Sequence, residues 1–345
     1  MSNRIILAIE SSCDETSAAI IKNDIVLSNI ISSQTIHEQY GGVIPELASR
    51  AHLQAISLIV KQAMIEAQIS YADLTSIAVT TEPGLAGALL VGSSFAKGLG
   101  LKLGIPVIPV HHIEGHIYSG MLEHPECTFP FIALIVSGGH TSIFLVREFG
   151  EEIVLGSTKD DAAGEAFDKI GKMLGLGYPA GPRIDALAKE GKPKAYQFPR
   201  ALMHESHYDF SFSGLKTSVR YFLQKEFPDG VHDQSILQDI CASVQEAIIE
   251  VLIHKLFRAS KEYRIKNIIV AGGVSANSRL RAALQSASEK RPVAIFLPKL
   301  SYCMDNAAMI GFLGSLKLQY LGEEAFQSLQ FTVNSRAIRT KRISS

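Results

Sequence analysis

The predicted order of strands and helices occurs twice along this chain of 345 residues. Each half begins with three short apolar runs, typical of consecutive strands, and continues as strand and helix in alternation. These leading runs are residues 5–9, 17–22 and 25–33 in the first half and 131–136, 141–146 and 152–157 in the second. Such a repeat predicts two related α/β domains, with a chance recurrence of α/β punctuation as the alternative.

The duplication also predicts the domain boundaries. A first lobe covers residues 1–125, and a second lobe covers 126–345 with a helical insertion at about 160–262. Ligands of open α/β sheets bind beyond the carboxyl ends of the strands. We therefore expect the binding site in the cleft between the two lobes.

Composition and charge narrow the class of protein. The net charge is −1, so no strong overall field attracts nucleic acid or an anionic membrane, although a local basic patch still can. The four cysteines are scattered without metal-binding spacing, which favours reduced thiols. The N-terminal apolar run is too short for a signal peptide, and two lysines and a proline interrupt the weakly apolar stretch at 85–110. We expect a cytoplasmic protein without a membrane span.

A pair of glycines in the second half predicts a binding turn. The run Ile135-Val-Ser-Gly-Gly-His-Thr141 places Gly138 and Gly139 between two predicted strands. Glycines there permit positive φ and leave backbone N–H groups bare, and the hydroxyls of Ser137 and Thr141 add donors. The turn suits a phosphate or carboxyl oxygen, and a hairpin turn without a ligand is the alternative.

A second glycine-rich turn, Ala271-Gly-Gly-Val-Ser-Ala-Asn277, joins a predicted strand to a predicted helix. Its glycines let a flat ring approach the backbone, and the Asn277 amide can donate and accept at a sugar or base edge. The alternative is that Ser275 or Asn277 is a helix N-cap, a role that needs only that residue type.

The most specific signal is a pair of histidines four residues apart. The segment His112-Ile-Glu-Gly-His116 places both imidazoles on one face if it is helical, at a spacing common among metal ligands. Glu114 is misplaced for the metalloprotease pattern, which needs glutamate directly after the first histidine. If a pseudo-twofold axis relates the lobes, Asp305 faces the pair and completes a three-ligand site with open positions. Structural histidines and an Asp305 helix N-cap are the alternatives.

Four further carboxylates lie in turns near the expected cleft. Asp168 and Asp185 follow the strands of the second lobe and can hold ribose hydroxyls or a substrate amine, with ordinary solvated helix charge as the alternative. Asp14 and Glu15 follow the first strand, where either can act as a general base or contact phosphate through water. The alternative for this pair is a charged hairpin turn.

Six motifs occur in order: Ala8-Ile-Glu-Ser-Ser-Cys-Asp-Glu-Thr16, His111-His-Ile-Glu-Gly-His116, Leu134-Ile-Val-Ser-Gly-Gly-His-Thr141, Gly164-Glu-Ala-Phe-Asp-Lys169, Ala271-Gly-Gly-Val-Ser-Ala-Asn277 and Asp305-Asn306. Together, over about residues 5–335, they resemble the bacterial tRNA threonylcarbamoyladenosine transferases of the actin/Hsp70/sugar-kinase superfamily. The resemblance implies two duplicated actin-like, ribonuclease H-like lobes with mixed sheets and a ligand cleft between them. It also implies transfer of a threonylcarbamoyl group from threonylcarbamoyl-AMP to N6 of the adenosine 3′ of the anticodon in tRNAs reading ANN codons, with release of AMP.

The resemblance assigns roles to individual residues. His112, His116 and Asp305 are implied to bind one divalent metal ion, iron or alternatively zinc. The implied substrate-binding positions are Ile135, Val136, Ser137, Gly138, Gly139, Asp168, Gly181, Asp185 and Asn277. Implied partners are tRNA, a paralogous actin-like subunit and a small ATPase subunit. Two residues depart from the family pattern: Glu82 precedes Pro83-Gly84 where a small residue is expected, and Ala180 precedes Gly181 where glycine is usual.

The chemistry of this reaction agrees with the residues. The donor is a mixed anhydride with AMP as a good leaving group, so no protein nucleophile is required, and the sequence has no recognisable Ser/His/Asp or Cys/His set. Positioning and charge stabilisation remain the tasks of the protein, with Asp14 or Glu15 as candidate proton acceptors. The main alternative is an ATP-dependent phosphotransferase or ATPase of the same superfamily, although magnesium prefers oxygen ligands to imidazoles. A metalloprotease and a non-enzymatic assembly subunit are further alternatives.

Overall fold

The computed structural model describes residues 3–336 and 341–342, which divide into two compact units. The first unit contains residues 3–125 together with 304–336, and the second contains 126–303 together with 341–342. The segment 304–336 was expected in a second lobe of 126–345, but it folds with the first unit. The reason is the close packing of its helix on the first sheet, described below.

The secondary structure of the described residues comprises eleven strands and nine α-helices. The strands are β1 (Ile5–Glu10), β2 (Glu15–Lys22), β3 (Ile25–Ser33), β4 (Ser76–Glu82), β5 (Val107–His111), β6 (Phe131–Val136), β7 (Thr141–Val146), β8 (Glu152–Ser157), β9 (Asn267–Ala271), β10 (Ala294–Phe296) and β11 (Lys341–Arg342). The helices are α1 (Pro45–Glu66), α2 (Ala86–Leu103), α3 (His112–Glu123), α4 (Ala163–Met173), α5 (Gly181–Ala188), α6 (Ser213–Glu226), α7 (Gln234–Tyr263), α8 (Ser278–Lys290) and α9 (Ala307–Leu321).

The two sheets share one topology. In the first unit the strand order is β3-β2-β1-β4-β5, with antiparallel pairs β1–β2 and β2–β3 and parallel pairs β1–β4 and β4–β5. In the second unit, strands β8-β7-β6-β9-β10 repeat this order with the same directions, and β11 extends the edge beside β8. The predicted duplication of a mixed α/β sheet is therefore confirmed. Helices α4 to α7 lie between β8 and β9 along the chain.

Strand β1 lies at the centre of the first sheet and is buried on both faces, which explains its unbroken apolar sequence. On one face, residues such as Leu7 and Ile9 pack in a cluster with Ile56 and Val60 of α1. On the other face lies α9. None of the helices in the described parts of the chain has the length and apolarity needed to cross a membrane.

Two glycines allow α9 to lie against the first sheet. A Cβ at Gly311 would lie 2.5 Å from Cγ1 of Ile21 and 2.9 Å from Cβ of Ala8, and one at Gly314 would lie 2.7 Å from Cβ of Ala78. These separations are shorter than real Cβ contacts, so larger residues would push the helix away. The glycines thus place the polypeptide just before α9, including Asp305, in the first unit.

Candidate functional site

The histidine pair begins a helix that follows a strand without an intervening loop. Strand β5 ends at His111 and α3 starts at His112. The side chain of His111 caps the helix, because its Nδ1 accepts hydrogen bonds from the backbone N–H groups of Ile113 (3.2 Å) and Glu114 (3.4 Å). His112 is consequently held in the first helical turn and His116 in the next, with their ring centroids 4.8 Å apart.

Asp305 lies directly before α9, and its neighbour provides the helix cap. Oδ1 of Asn306 accepts from the backbone N–H of Met309 at 3.1 Å, and its amide donates to the Met304 carbonyl at 2.7 Å. The N-cap role considered for Asp305 therefore belongs to Asn306. This leaves the Asp305 carboxylate available for side-chain contacts.

Helices α3 and α9 pack side by side through another small residue. A Cβ at Gly115 would lie 3.1 Å from Cδ1 of Ile310 and 3.4 Å from Cγ of Met309, so only a small residue allows this approach without displacement. The contact brings the start of α9 next to the histidine face of α3. All three predicted ligands therefore lie within the first unit.

The three side chains converge at separations suited to a shared cation. Oδ1 of Asp305 lies 3.1 Å from Nε2 of His116 and 3.4 Å from Nε2 of His112. Ligands of a tetrahedral zinc-type ion lie about 3.3 Å apart, since each bond is about 2.0–2.2 Å. Both histidines are buried, whereas the Asp305 side chain is 22% exposed, so one side of the group is accessible. This group of two imidazoles and one carboxylate can hold a metal ion.

A fourth residue, Glu10, belongs to the same network and was not among the predicted ligands. Its Oε2 lies 3.1 Å from Nδ1 of His112 and accepts from Oγ1 of Thr80 at 2.6 Å, while Oε1 accepts from the Ser12 backbone N–H at 2.5 Å. The carboxylate is fully buried at the end of β1. The one feature of the sequence that pointed to Glu10 was its position as a charged residue at the end of a buried apolar strand.

The charges of this network support one another. Burial by itself would raise the pKa of the Asp305 carboxyl, but His112 and hydrogen bonds from both histidines hold that pKa well below its ordinary value. Burial would likewise lower the pKa of His112, yet the negative charges of Asp305 and Glu10 raise it well above the usual range. Burial alone would raise the pKa of Glu10, but the charge and hydrogen bond of His112, with the hydrogen bond from Thr80, outweigh burial and lower that pKa. An imidazole between two carboxylates is an environment that stabilises positive charge, including a metal cation.

Asp14 and Glu15 lie in and just after the turn between β1 and β2. Glu15 is buried, and burial together with the negative charges of Asp305 and Asp14 raises its pKa to about 9. A cation bound at Asp305 would oppose this shift. The turn is tied to α1 by His52, which contacts Oγ1 of Thr16 at 2.8 Å and the Cys13 carbonyl oxygen at 2.9 Å. Burial lowers the pKa of His52, so this bridge is formed by the neutral ring.

In the second unit, the predicted glycine turn follows β6, whose last residues are Ile135 and Val136. The Ser137 N–H donates to the His140 carbonyl at 2.8 Å, and the His140 N–H donates to Oγ of Ser137 at 3.1 Å. Neither Gly138 nor Gly139 uses the positive φ that glycine permits. Both glycines are exposed, and a Cβ on either would meet no atom within 4 Å. Their backbone remains open to a ligand.

Two other glycines bring neighbouring segments against this turn. Gly272 has φ of 91°, and its Cβ would lie 2.5 Å from the carbonyl oxygen of Val136. A Cβ at Gly164, in the first turn of α4, would lie 2.6 Å from the Ser137 carbonyl oxygen. The loop after β9 and the start of α4 therefore both lie next to the end of β6.

The remaining predicted binding residues hold these segments together. Oδ1 of Asp168 accepts from the backbone N–H groups of Ala180 (2.8 Å) and Gly181 (3.4 Å), at the start of α5. Asp185 accepts from the N–H and the hydroxyl of Ser278, at the start of α8. Both aspartates therefore make specific hydrogen bonds and are not the ordinary solvated helix charges that were the alternative.

Asn277 has the helix-cap role that was its alternative. Its Oδ1 accepts from the Leu280 backbone N–H at 3.0 Å, and its amide donates to Oε1 of Gln245 at 2.6 Å. The Ser275 hydroxyl makes no hydrogen bond to the described residues, so of the two candidates Asn277 is the cap. A ligand contact by Asn277 is compatible with this role only through atoms that these two bonds leave available.

Of the two departures from the family pattern, Ala180 is accommodated by its neighbour. Ala180 is fully buried against Gly171 of α4, where a Cβ would lie 2.1 Å from the Ala180 methyl. The extra methyl thus fits because the opposing residue has none. Glu82 is the last residue of β4, and the nearby Gly84 is required because its Cβ would lie 2.5 Å from the Ser12 carbonyl oxygen.

Solved structures support the two-lobed fold. The HypF protein of T. kodakarensis is 14% identical, with a TM-score of 0.60, over 94% of this chain and 49% of its own. Component A of the (R)-2-hydroxyglutaryl-CoA dehydratase of Acidaminococcus fermentans is 15% identical, with a TM-score of 0.53, over 91% of this chain and all of its own. At such identities the likeness concerns the fold alone. It agrees with the predicted actin-like architecture of two α/β lobes.

Sequence comparison connects the chain to one enzyme family. The model of the tRNA N6-adenosine threonylcarbamoyltransferases matches residues 25–312. The enzyme of that name from Thermosipho africanus is 49% identical over 96% of this chain and 99% of its own length. The one from Chlorobium phaeobacteroides is 53% identical over 91% of this chain and 93% of its own. With the motifs, the fold and the histidine–carboxylate group in agreement, the chain belongs to the tRNA N6-adenosine threonylcarbamoyltransferase family.

Proposed function

We propose that this chain transfers a threonylcarbamoyl group from threonylcarbamoyl-AMP to N6 of the adenosine 3′ of the anticodon in tRNAs reading ANN codons, releasing AMP. The observation that carries the proposal is the convergence of His112, His116 and Asp305 in a chain about half identical to enzymes named for this transfer. Relatives of that name favour acyl transfer over the alternative of ATP-dependent phosphotransfer.

His112, His116 and Asp305 would hold one divalent metal ion. When bound, such an ion supplies Lewis-acid stabilisation of negative charge on phosphate or carbonyl oxygens. Two imidazoles and a carboxylate suit iron or zinc, and we propose iron, with zinc as the alternative. Elemental analysis of protein purified without oxygen tests this choice. Stoichiometric zinc with no iron would contradict it.

The second unit would bind the adenylate. The exposed backbone of Gly138 and Gly139, together with Ile135, Val136 and Ser137, lies next to the first turn of α4, whose helix dipole favours an anion. Oxygen lone pairs of Asp168 and Asp185, next to Gly181 and Asn277, would meet ribose hydroxyls or the threonyl amine. Gly138→Val is expected to raise the KM for the adenylate while leaving metal content unchanged. An unchanged KM would remove this turn from the site.

The proton released from the adenine amine needs an acceptor, and Asp14 and Glu15 are the candidates. The raised pKa of Glu15 favours its protonated form, so it accepts a proton only if a bound cation lowers that pKa. Asp14 is only partly buried and lies in the same turn. Asp14→Asn and Glu15→Gln are compared in single-turnover reactions. Full turnover by either variant would remove that residue from the role.

We also propose that the chain acts with a paralogous actin-like subunit and a small ATPase. Apolar side chains suited to a protein contact lie exposed on neighbouring helices: Leu53, Leu58 and Ile65 of α1 and Leu101 of α2 are each more than half exposed. Leu58→Asp should weaken association with the paralogous subunit, measured by light scattering of the mixture. Lys61→Asp, on the same helix, is the control for added negative charge.

The transfer is tested by incubating the chain and its helper subunits with threonylcarbamoyl-AMP and unmodified tRNA. Mass spectrometry of the digested nucleosides should show threonylcarbamoyladenosine, with AMP released in equal amount. A reaction with ATP in place of the adenylate serves as the comparison. Acceptor-dependent formation of ADP without the modified nucleoside would favour the phosphotransferase instead.

A further inference from the structure

We infer that Glu10 is a positioning residue for the metal centre: its carboxylate holds the Nδ1–H of His112, so that Nε2 of the same ring presents its lone pair to the ion beside Asp305. The inference rests on the metal-dependent transfer proposed above. It gives a role to a carboxylate that the predicted ligand set leaves out and that lies too far along the chain for motif spacing to reveal.

The hydrogen bonds of Glu10 leave its carboxylate a single orientation. Oε2 faces Nδ1 of His112 at 3.1 Å and accepts from the Thr80 hydroxyl at 2.6 Å, and Oε1 accepts from the Ser12 N–H at 2.5 Å. The Glu10 side chain that makes these contacts is fully buried at the end of β1. A carboxylate that accepts on both oxygens cannot turn away without leaving buried donors unpaired.

These contacts determine which nitrogen of His112 is available to a metal. An unprotonated Nδ1 would direct its lone pair at the carboxylate oxygen 3.1 Å away, which is repulsive, so Nδ1 carries a proton. The Ser12 hydroxyl also lies 3.2 Å from Nδ1 and could donate to it in the opposite arrangement. That arrangement requires the same repulsion from Glu10 and is therefore disfavoured. With Nδ1–H donating, Nε2 is the atom that faces Asp305.

The second histidine has no such partner. Nδ1 of His116 is buried and makes no hydrogen bond to the described residues. Its ring is oriented by packing and by the contact of Nε2 with Asp305 at 3.1 Å, so a carboxylate behind the ring, Glu10, is present at only one of the two imidazoles among the described residues. A carboxylate behind a ligating histidine fixes the ring and raises its basicity, and loss of such a partner costs about 10–100-fold in metal affinity.

Glu10→Gln tests the inference with a small change of shape. Its amide nitrogen must replace one oxygen and then faces either the Ser12 N–H or the Nδ1–H of His112, donor against donor in both cases. Zinc affinity is measured by competition with a chromophoric chelator on the full-length chain. We expect affinity to fall about 10–100-fold. Glu114→Gln, which removes a carboxylate from the same α3 helix, and Ser12→Ala should bind zinc within about twofold of wild type.

The outcomes separate the possibilities. Unchanged zinc affinity in Glu10→Gln overturns the inference, and so does a loss in Ser12→Ala as large as that in Glu10→Gln. If wild type itself binds no stoichiometric zinc, the metal part of the proposed function fails as well, and the wild-type titration alone reveals this.

A spectroscopic measurement covers the case in which Glu10→Gln does not fold. In zinc-loaded wild type with 15N-labelled histidine, we expect the His112 ring to carry its proton on Nδ1 and zinc on Nε2. The signal is assigned by its loss in His112→Asn. Zinc on Nδ1, or an Nδ1 without a proton, would overturn the inference.

Discussion

Substitution of Gly272 by alanine should destabilise the second unit by several kcal/mol. Gly272 has φ of 91° and ψ of 162°, a region that is essentially restricted to glycine, and a side chain there costs about 1–3 kcal/mol. The new Cβ would also lie 2.5 Å from the Val136 carbonyl oxygen. That oxygen belongs to a buried strand of the same sheet, so the clash can be removed only if the loop after β9 moves away from β6. Overpacking of this kind costs about 1–3 kcal/mol. The expected total is about 2–6 kcal/mol.

The adjacent Gly273 provides a matched control. A Cβ there meets no atom within 4 Å and its φ is not positive, so Gly273→Ala should change stability by less than about 1 kcal/mol. Urea unfolding is followed by far-UV circular dichroism, and hydrogen exchange of the β6 and β9 amides reports on the second unit by itself. If Gly272→Ala unfolds at the same urea concentration as Gly273→Ala, the argument from backbone angle and close approach is wrong.

Two further predictions concern the turn after β1. His52→Ala removes the contacts to the Thr16 hydroxyl and the Cys13 carbonyl, and an unpaired buried group costs about 1–3 kcal/mol. The urea midpoint of this variant should therefore fall, while that of the control Leu58→Ala, at an exposed site, should stay near wild type. Equal midpoints for the two variants would contradict this. Because the pKa of Glu15 is raised from 4.5 to about 9, the folded chain retains a proton that the unfolded chain releases, so the stability from this group is complete below about pH 4.5 and declines as pH rises toward 9. Glu15→Gln, measured in a chelator, should therefore gain stability relative to wild type between about pH 5 and about pH 8, and a pH-independent difference would refute the assignment.

Local patterns in the sequence predicted those parts of the site that depend on local structure. The spacing of His112 and His116 reflects one helical turn, and the repeated strand runs led to two sheets of one topology. The identity of the helix cap could not be predicted, since aspartate and asparagine have nearly equal N-cap preference and stand side by side at 305 and 306.

Long-range packing accounts for what the sequence did not reveal. Glu10 and His112 are separated by 102 positions, and no periodicity connects them. The placement of α9 in the first unit depends on Gly311 facing Ala8 and Ile21, a contact between distant segments. Hydrophobic pattern alone, being uniform along α9, does not choose between the two sheets.

Anomalous diffraction from crystals grown with zinc, recorded on both sides of the zinc absorption edge, tests the shared metal centre most directly. We predict one strong peak about 2.0–2.2 Å from Nε2 of His112, Nε2 of His116 and a carboxylate oxygen of Asp305. Zinc bound only at other places, with these three side chains still in contact with each other, would contradict the assignment of this group as a metal site.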